Sequence, residues 1–336
     1  MKVTKKVIFF FRKKDPDAHS IEEVFNTVSN IFTQKKTLRV EHLYAPEHSK
    51  SIINIIQNII FAYNNQGEVN HVTGDIHYIL LGLRKKNINI LTIHDCRLLN
   101  IFPRTSIKFW IYKWFWLDIP LKRATKVTTV SQKTKLEIIK FTNCPPEKIV
   151  VIPNPANPIF KNEPREFNSD NPKILQVGTG SNKNLERVIQ SLIGIPCKLV
   201  IIGQLFQNQL FLLEKNKINY ENYFNISIEE VSRFYHECDF VVFASTFEGF
   251  GMPIIEANLS GTPIITSDIS PINEIAGKAA LFVDPYSITD IRSKILTMIY
   301  DKGLRERLIY YGFQNASKFS PSEISEKYFN LYTHEK

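Results

Sequence analysis

The sequence predicts two doubly wound α/β domains of ordinary size, and three observations carry that reading. Its 336 residues, 43% hydrophobic and 22% charged, suffice for two cores. Short apolar, β-branched runs alternate throughout with longer segments of helical period, the pattern of parallel sheets covered by helices. Five of the 17 prolines, Pro153, Pro155, Pro158, Pro164 and Pro172, crowd into one polar stretch that reads as a linker. The division is a first domain over 1–155, a linker over 156–172, a second domain over 173–318 and a C-terminal helix over 319–336 that crosses back.

In chain order, the apolar runs place strands near Val7 to Phe11, Leu38 to Tyr44, Asn70 to Thr73, Ile88 to His94, Lys126 to Val130 and Ile149 to Ile152. Between the second and third, Ile52, Ile53, Ile55, Ile56, Ile59 and Ile60 repeat at i, i+3, i+4 and i+7, which predicts a helix with one buried face. The second half places strands near Lys173 to Val177, Lys198 to Ile202, Tyr223 to Asn225, Phe240 to Ala244, Pro263 to Thr266 and Leu281 to Val283. Helices near Ser287 to Tyr300, Leu304 to Lys318 and Ser322 to Tyr332 end the chain, and such a tail commonly packs back across the linker.

Disorder, collagen and coiled coil are excluded by this composition. No run of 18 apolar residues exists, and Val7 to Phe11 is too short, and too soon followed by Arg12, Lys13 and Lys14, for a signal-peptide core. A cytosolic protein is expected. Cys96, Cys144, Cys197 and Cys238 lie far apart without zinc-ligand spacing and read as reduced and buried. The net charge of +9 is uneven: residues 1–165 carry 26 Lys and Arg against 13 Asp and Glu, residues 166–336 carry 16 against 20, so the halves hold +13 and −4. A positive half suits an anionic partner, whether nucleic acid, a phospholipid surface or a phosphorylated substrate, and any single Lys reads first as part of a solvated face.

The stretch Ser245 to Glu256 holds two carboxylates eight positions apart at a strand-to-helix turn. Gly249 and Gly251 allow a tight turn and close ligand approach, and Pro253 suits the first helical turn, where its missing N–H costs nothing. The N–H groups of such a turn point into the crevice where open α/β sheets bind ligands. Glu248 falls in the loop and Glu256 about one turn into the helix, so two separate contacts to hydroxyl groups fit better than an acid/base pair. A second strand, loop and helix start occupies Val177-Gly178-Thr179-Gly180-Ser181-Asn182-Lys183-Asn184-Leu185. Its G-x-G is a weak signal, but a Lys at a helix N-terminus opposes the helix dipole and makes sense facing an anion such as a diphosphate. Arg187, one helical turn later, either faces the same anion or, as the first reading, pairs with a surface carboxylate.

These residues resemble the retaining glycosyltransferases of family 4, which have the two-domain GT-B architecture. The resemblance covers most of the chain. It rests on the E-x7-E pair Glu248 and Glu256, on Lys183-Asn184 after Val177-Gly178, on Asn273-Glu274-Ile275-Ala276-Gly277, and on Leu281-Phe282-Val283-Asp284-Pro285. In the first half it rests on Thr92-Ile93-His94-Asp95, Val130-Ser131 and Val151-Ile152-Pro153-Asn154. It implies two Rossmann-like domains facing each other across a cleft, C-terminal helices packing back on the first domain, and transfer of a hexose or N-acetylhexosamine from a UDP- or GDP-linked sugar to a glycan or lipid-linked acceptor. By the same resemblance Glu248, Lys183 and His94 carry the chemistry. The donor is held by Gly178, Thr179, Gly180, Asn184, Phe224, Asn225, Glu248, Gly249, Phe250, Gly251, Met252 and Glu256. Glu256 would take the ribose hydroxyls, Glu248 the transferred sugar and Lys183 the leaving diphosphate.

Two departures from the family stand out. No Arg precedes Lys183 within the loop, and the Gly-rich loop after the first strand is replaced by Phe11 to Glu22. That loop is expected to border the acceptor, with His19, Ser20 and Asp95 on the acceptor side and Ser20 capping a helix. Breaking a glycosyl phosphate builds negative charge on the diphosphate, which a Lys and a helix N-terminus answer. No metal and no cofactor is expected.

All three tryptophans fall between Ile107 and Leu117, interleaved with lysines and followed by Lys122, Arg123 and Lys126. The segment Trp110 to Arg123 fits either an interfacial helix on anionic lipid, hence a peripheral place at the inner face of the plasma membrane, or aromatic packing in the first core. Surface polysaccharide or lipopolysaccharide synthesis is the expected setting. The competing readings are a nucleotide-sugar epimerase of the same architecture and a non-catalytic basic binding module. The intact Lys183, Glu248 and Glu256 oppose the second, and no nucleic-acid partner is expected.

Overall fold

The computed structural model describes residues 5–14, 20–35 and 38–334. It divides into two units, Met1–Pro155 with Pro321–Lys336, and Ala156–Ser320. The first unit is built on β1 (Lys6–Phe11), β2 (Arg39–Tyr44), β3 (Val69–Val72), β4 (Ile88–Ile93), β5 (Lys126–Thr129) and β6 (Ile149–Val151). They form one parallel sheet in the order β2-β1-β3-β4-β5-β6. The second unit is built on β7 (Lys173–Val177), β8 (Lys198–Ile202), β9 (Tyr220–Tyr223), β10 (Phe240–Phe243), β11 (Ile264–Ser267) and β12 (Leu281–Val283). Its parallel order is β12-β11-β10-β7-β8-β9.

Strands covered on both faces read as continuous apolar runs, which is why Phe240–Phe243, buried throughout, is plain in the sequence. The exception is β9, which lies three residues before its expected place. It is the edge strand, and its residues Tyr-Glu-Asn-Tyr give no apolar run. In each sheet the strand order reverses once, between β1 and β3 and between β7 and β10. Ligands of doubly wound folds bind outside the carboxyl ends of the strands at such a switch.

Residues 156–172 pack with the second unit. Phe160 is buried edge-on to Tyr235, and the Arg165 guanidinium donates to the carbonyls of Tyr235 and His236 at 2.7 and 2.6 Å. Of the C-terminal helices, Ile288–Tyr300 and Lys302–Ser317 stay with the second unit, and only Pro321–His334 joins the first. That last helix lies against Ser20–Lys35. Its Tyr332 hydroxyl meets His71 Nδ1 at 2.6 Å, while His71 Nε2 meets Thr92 Oγ1 at 2.7 Å. Burial holds the imidazole neutral, with its pKa pushed down to about 3. Tyr332→Phe leaves that buried nitrogen without its partner and is expected to destabilise the first unit by about 1–3 kcal/mol. Denaturant unfolding followed by tryptophan fluorescence checks this, because all three tryptophans lie in that unit.

The helix Ile52–Asn64 corrects the sequence reading. Its buried side carries Asn58 and Ala62 with Ile55 and Ile59 packed beside them, whereas Ile52, Ile53, Ile56 and Ile60 are exposed by 50–76%. Asn58 decides the facing: its amide donates to Glu47 O and to the Tyr78 hydroxyl, both at 2.8 Å. The four cysteines are free and buried, as expected.

Candidate active site

At the β7/β10 switch, the loops after the two strands carry the sequence-selected residues to one place. Lys183 Nζ is 2.7 Å from Glu248 Oε1, and the Asn182 amide donates to the same oxygen at 3.3 Å and to Phe247 O at 3.0 Å. Thr246 N donates to Asn182 O at 2.8 Å and stitches the loops together. The Lys183 ammonium also lies 5.0 Å from the Phe243 ring centroid. Its stem crosses Gly178, whose φ is +88° and where a Cβ would stand 2.9 Å from Lys183 Cγ. Gly178 is required both for that backbone and for that approach.

Glu256, on the helix Met252–Leu259, is half-buried. Burial raises its pKa to about 7, while the Tyr235 hydroxyl, donating to Oε2 at 2.6 Å, and the Lys183 charge favour the ionised form. A carboxylate held near its neutral point beside a cation is a mark of a functional site. Tyr235 is a site residue that the sequence reading missed. Its only signal was an aromatic on the amphipathic helix Ile228–Glu237.

The other expected donor residues divide into two groups. The backbone N–H groups of Gly249, Phe250 and Gly251 have no hydrogen-bond partner among the described residues, while the Phe250 ring is buried edge-on to Phe319. Met252 and Gly180 are half-buried at the same loops, and Phe224 and Asn225 are exposed just past β9. Asn184 and Thr179 are instead occupied inside the fold. Buried Asn184 takes a left-handed conformation, and its amide donates to Ala244 O and Pro285 O at 2.8 and 2.7 Å. Its Oδ1 accepts from Arg187, so Arg187 meets an amide rather than the expected carboxylate. The Thr179 hydroxyl donates to Gln204 O at 2.6 Å. The side-chain donor groups of both residues are used inside the fold.

In the first unit, the β1/β3 switch opens into a cavity of about 640 Å³ lined by His94, Asp95, Arg12, Asp75, His77 and Trp116 among others. His94 Nε2 lies 2.7 Å from Thr73 O, and the ring rests against Gly74. The Arg12 guanidinium pairs with Glu22 and Asp75, and Trp116 Nε1 donates to Asp75 O at 2.9 Å. Arg12 comes from the loop expected to border the acceptor. His19 lies outside the described residues, and Ser20 begins the helix Ser20–Lys35. Asp75, His77 and Trp116 were missed because they reach the cavity from two segments some 40 positions apart.

The pattern of the family Glycosyl transferases group 1 matches residues 159–315, and that of Glycosyltransferase Family 4 matches residues 43–159. The chain belongs to the family 4 glycosyltransferases. The O-antigen chain mannosyltransferase RfbU of Salmonella typhimurium is 32% identical over 62% of this family 4 chain and 59% of its own length. The O-antigen chain mannosyltransferase B of Escherichia coli is 27% identical over 63% and 61%. The match therefore spans about three fifths of the length of these relatives. Sucrose-phosphate synthase from Thermosynechococcus elongatus superposes with a TM-score of 0.82 at 16% identity over 98% of both chains. Anabaena HepE, solved with UDP and glucose, superposes with a TM-score of 0.75 at 14% identity over 98% of this chain and 100% of its own. These likenesses establish the fold, GT-B.

The tryptophan segment of this family 4 chain divides between the two readings. Trp116 stacks on Tyr112 and edge-on to Tyr78, and Phe109 and Leu117 are buried. Ile107, Trp110, Ile111 and Trp114 form an exposed stripe, with Trp110 57% and Trp114 60% exposed. A π-helical turn, Lys113–Asp118, carries Trp114 on the exposed stripe and Trp116 on the packed side. Arg123 turns inward to the carbonyls of Leu80, Leu81 and Leu83. No helix among the described residues is long and apolar enough to cross a membrane, and no group of three His, Cys, Asp or Glu among them is placed to hold a metal.

Proposed function

We propose that the protein is a retaining glycosyltransferase moving mannose from a nucleotide diphosphate sugar to a glycan or lipid-linked acceptor, in the building of a bacterial surface polysaccharide. The observation that carries this reading is the convergence of Lys183, Glu248 and Glu256 at the β7/β10 switch of a family 4 chain. The names of the two O-antigen mannosyltransferases support mannose, and a neighbour solved with UDP and glucose supports a nucleoside diphosphate as the sugar's carrier.

In this reading the bond from sugar C1 to the diphosphate oxygen breaks with its electron pair on the diphosphate. A bond from the acceptor oxygen to C1 forms on the same face, and the acceptor proton leaves with the diphosphate. Lys183 and the open N–H groups of Gly249 to Gly251 receive the negative charge. Glu256 holds the ribose hydroxyls, Glu248 leaves Lys183 to meet the sugar, and the cavity with His94 and Asp95 takes the acceptor. No metal is needed, because a cation and backbone donors already meet the developing charge. The Trp110 and Trp114 stripe, together with the exposed isoleucines of Ile52–Asn64 on the same layer, supports work at a bilayer surface, where a lipid-linked acceptor resides.

Mannose, glucose and galactose donors on GDP and UDP are the test, by thermal stabilisation, slow hydrolysis with EDTA present, and NMR of the product anomer. One donor should stabilise the protein by about 2.7 kcal/mol at a hundred times its Kd and give a product of unchanged anomeric configuration. An inverted anomer rejects the retaining assignment, and a glucose donor alone rejects mannose.

A further inference from the structure

Beside the exposed Trp114 lies a second cavity of the first unit, about 220 Å³ in volume and separate from the one that holds His94. Lys113, Lys122 and Lys148 line it, and Asp118 is its one acidic lining residue. Asp118 is paired to Lys113, so two positive charges remain. Lys148 is half-buried, and its ammonium has no hydrogen bond or ion pair among the described residues. Burial and the neighbouring Lys126 push it below the usual lysine range. A partly buried cation without a counter-charge costs free energy, which an incoming anion returns.

We propose that this cavity binds the phosphoryl headgroup of an anionic membrane lipid. Trp114 belongs both to the cavity wall and to the exposed stripe with Trp110. Indole rings settle at headgroup depth in a bilayer, which sets the lysines beside the lipid phosphates. Three lysines and one aspartate match a phosphate in charge. The inference rests on the bilayer part of the proposed function and adds a defined lipid site to it.

The test uses the full chain and co-sedimentation with vesicles of phosphatidylcholine, alone or containing phosphatidic acid. Each lysine at a membrane surface contributes about fivefold in partitioning, so Lys122→Gln with Lys148→Gln should weaken binding to the acidic vesicles roughly 25-fold. Binding to neutral vesicles and hydrolysis of the sugar donor should stay unchanged. Trp110→Ala with Trp114→Ala should weaken binding to both vesicle types, which separates the stripe from the cavity. A double lysine variant that keeps the full preference for phosphatidic acid overturns the site. If the wild type sediments with neither vesicle, the bilayer reading falls. A glycerol 3-phosphate titration then separates a soluble phosphate ligand, seen as binding lost in the lysine variant, from an empty cavity, and either result overturns the lipid assignment.

Discussion

Lys183→Ala is expected to lower donor turnover by about 100- to 1000-fold while costing the fold about 1 kcal/mol. The two figures come from different parts of the same environment. In the resting protein the ammonium is paired with Glu248 at 2.7 Å, both side chains keep some contact with water, and Asn182 remains to donate to the carboxylate. A pair of that kind stabilises by no more than about 1 kcal/mol. In the proposed reaction the ammonium faces a departing diphosphate at the transition state, and a single well-placed donor to such a charge contributes roughly 3–4 kcal/mol. Lys183→Met tests whether the charge is responsible. It keeps a stem over Gly178 and Phe243, so packing is spared, and its turnover should match that of the Ala variant. Steady-state kinetics with the preferred donor decides, and a Met variant within tenfold of the wild type would remove Lys183 from the chemistry.

Much of the fold was legible where parallel strands covered on both faces leave uninterrupted apolar runs, as in β1, β8 and β10, and eleven of the twelve strands lie within a residue of their expected places. Periodicity failed where every face of a helix is apolar. In Ile52–Asn64 the isoleucines supplied a repeat, but the face toward the sheet was chosen by Asn58 and its bonds to Glu47 and Tyr78. A polar residue inside an apolar repeat is the signal that could have found it. The individual loops of the candidate site were equally legible as strand-to-helix turns, since glycines, Lys183 and the two glutamates mark them. Their pairing was not: Lys183 and Glu248 are 65 positions apart and meet because β10 returns to lie beside β7. Asn184 is a related case, because its side-chain amide is spent inside the fold. A left-handed asparagine that bonds Ala244 O and Pro285 O looks in sequence like any amide in a ligand loop.

Glu256 yields the second large expectation, a variant that is more stable and less able to bind. Burial lifts its carboxyl to about 7 from an ordinary 4.5. Between those values the native state holds a proton that the unfolded chain has released, so stability falls as pH rises through this window and the loss is complete above about pH 8. The shift corresponds to about 3 kcal/mol, an upper bound because the side chain is only half-buried. Glu256→Gln removes the charge and still accepts from the Tyr235 hydroxyl. It should therefore stabilise the second unit by up to about 3 kcal/mol at pH 8.5 and change little at pH 4. Because that unit holds no tryptophan, calorimetry or amide exchange in β10 is the readout.

The same charge explains why the stabler residue is absent. Ribose hydroxyls donate to a carboxylate about twice as strongly as to an amide, so the variant should bind the donor roughly 10- to 100-fold more weakly above pH 7. If Glu256 holds the donor as proposed, the wild-type carboxyl gives up its proton to take those hydroxyls, and donor affinity should fall about tenfold per pH unit below 7. The variant should show no such dependence. Equal stability of the two proteins at pH 8.5 would mean that burial does not penalise the charge. A flat affinity profile in the wild type would mean that Glu256 does not hold the donor. If both expectations hold, the protein keeps a carboxylate that weakens its own fold at working pH because the donor compensates that cost on binding, and the nucleotide sugar should raise the melting temperature of the wild type more at pH 8 than at pH 6.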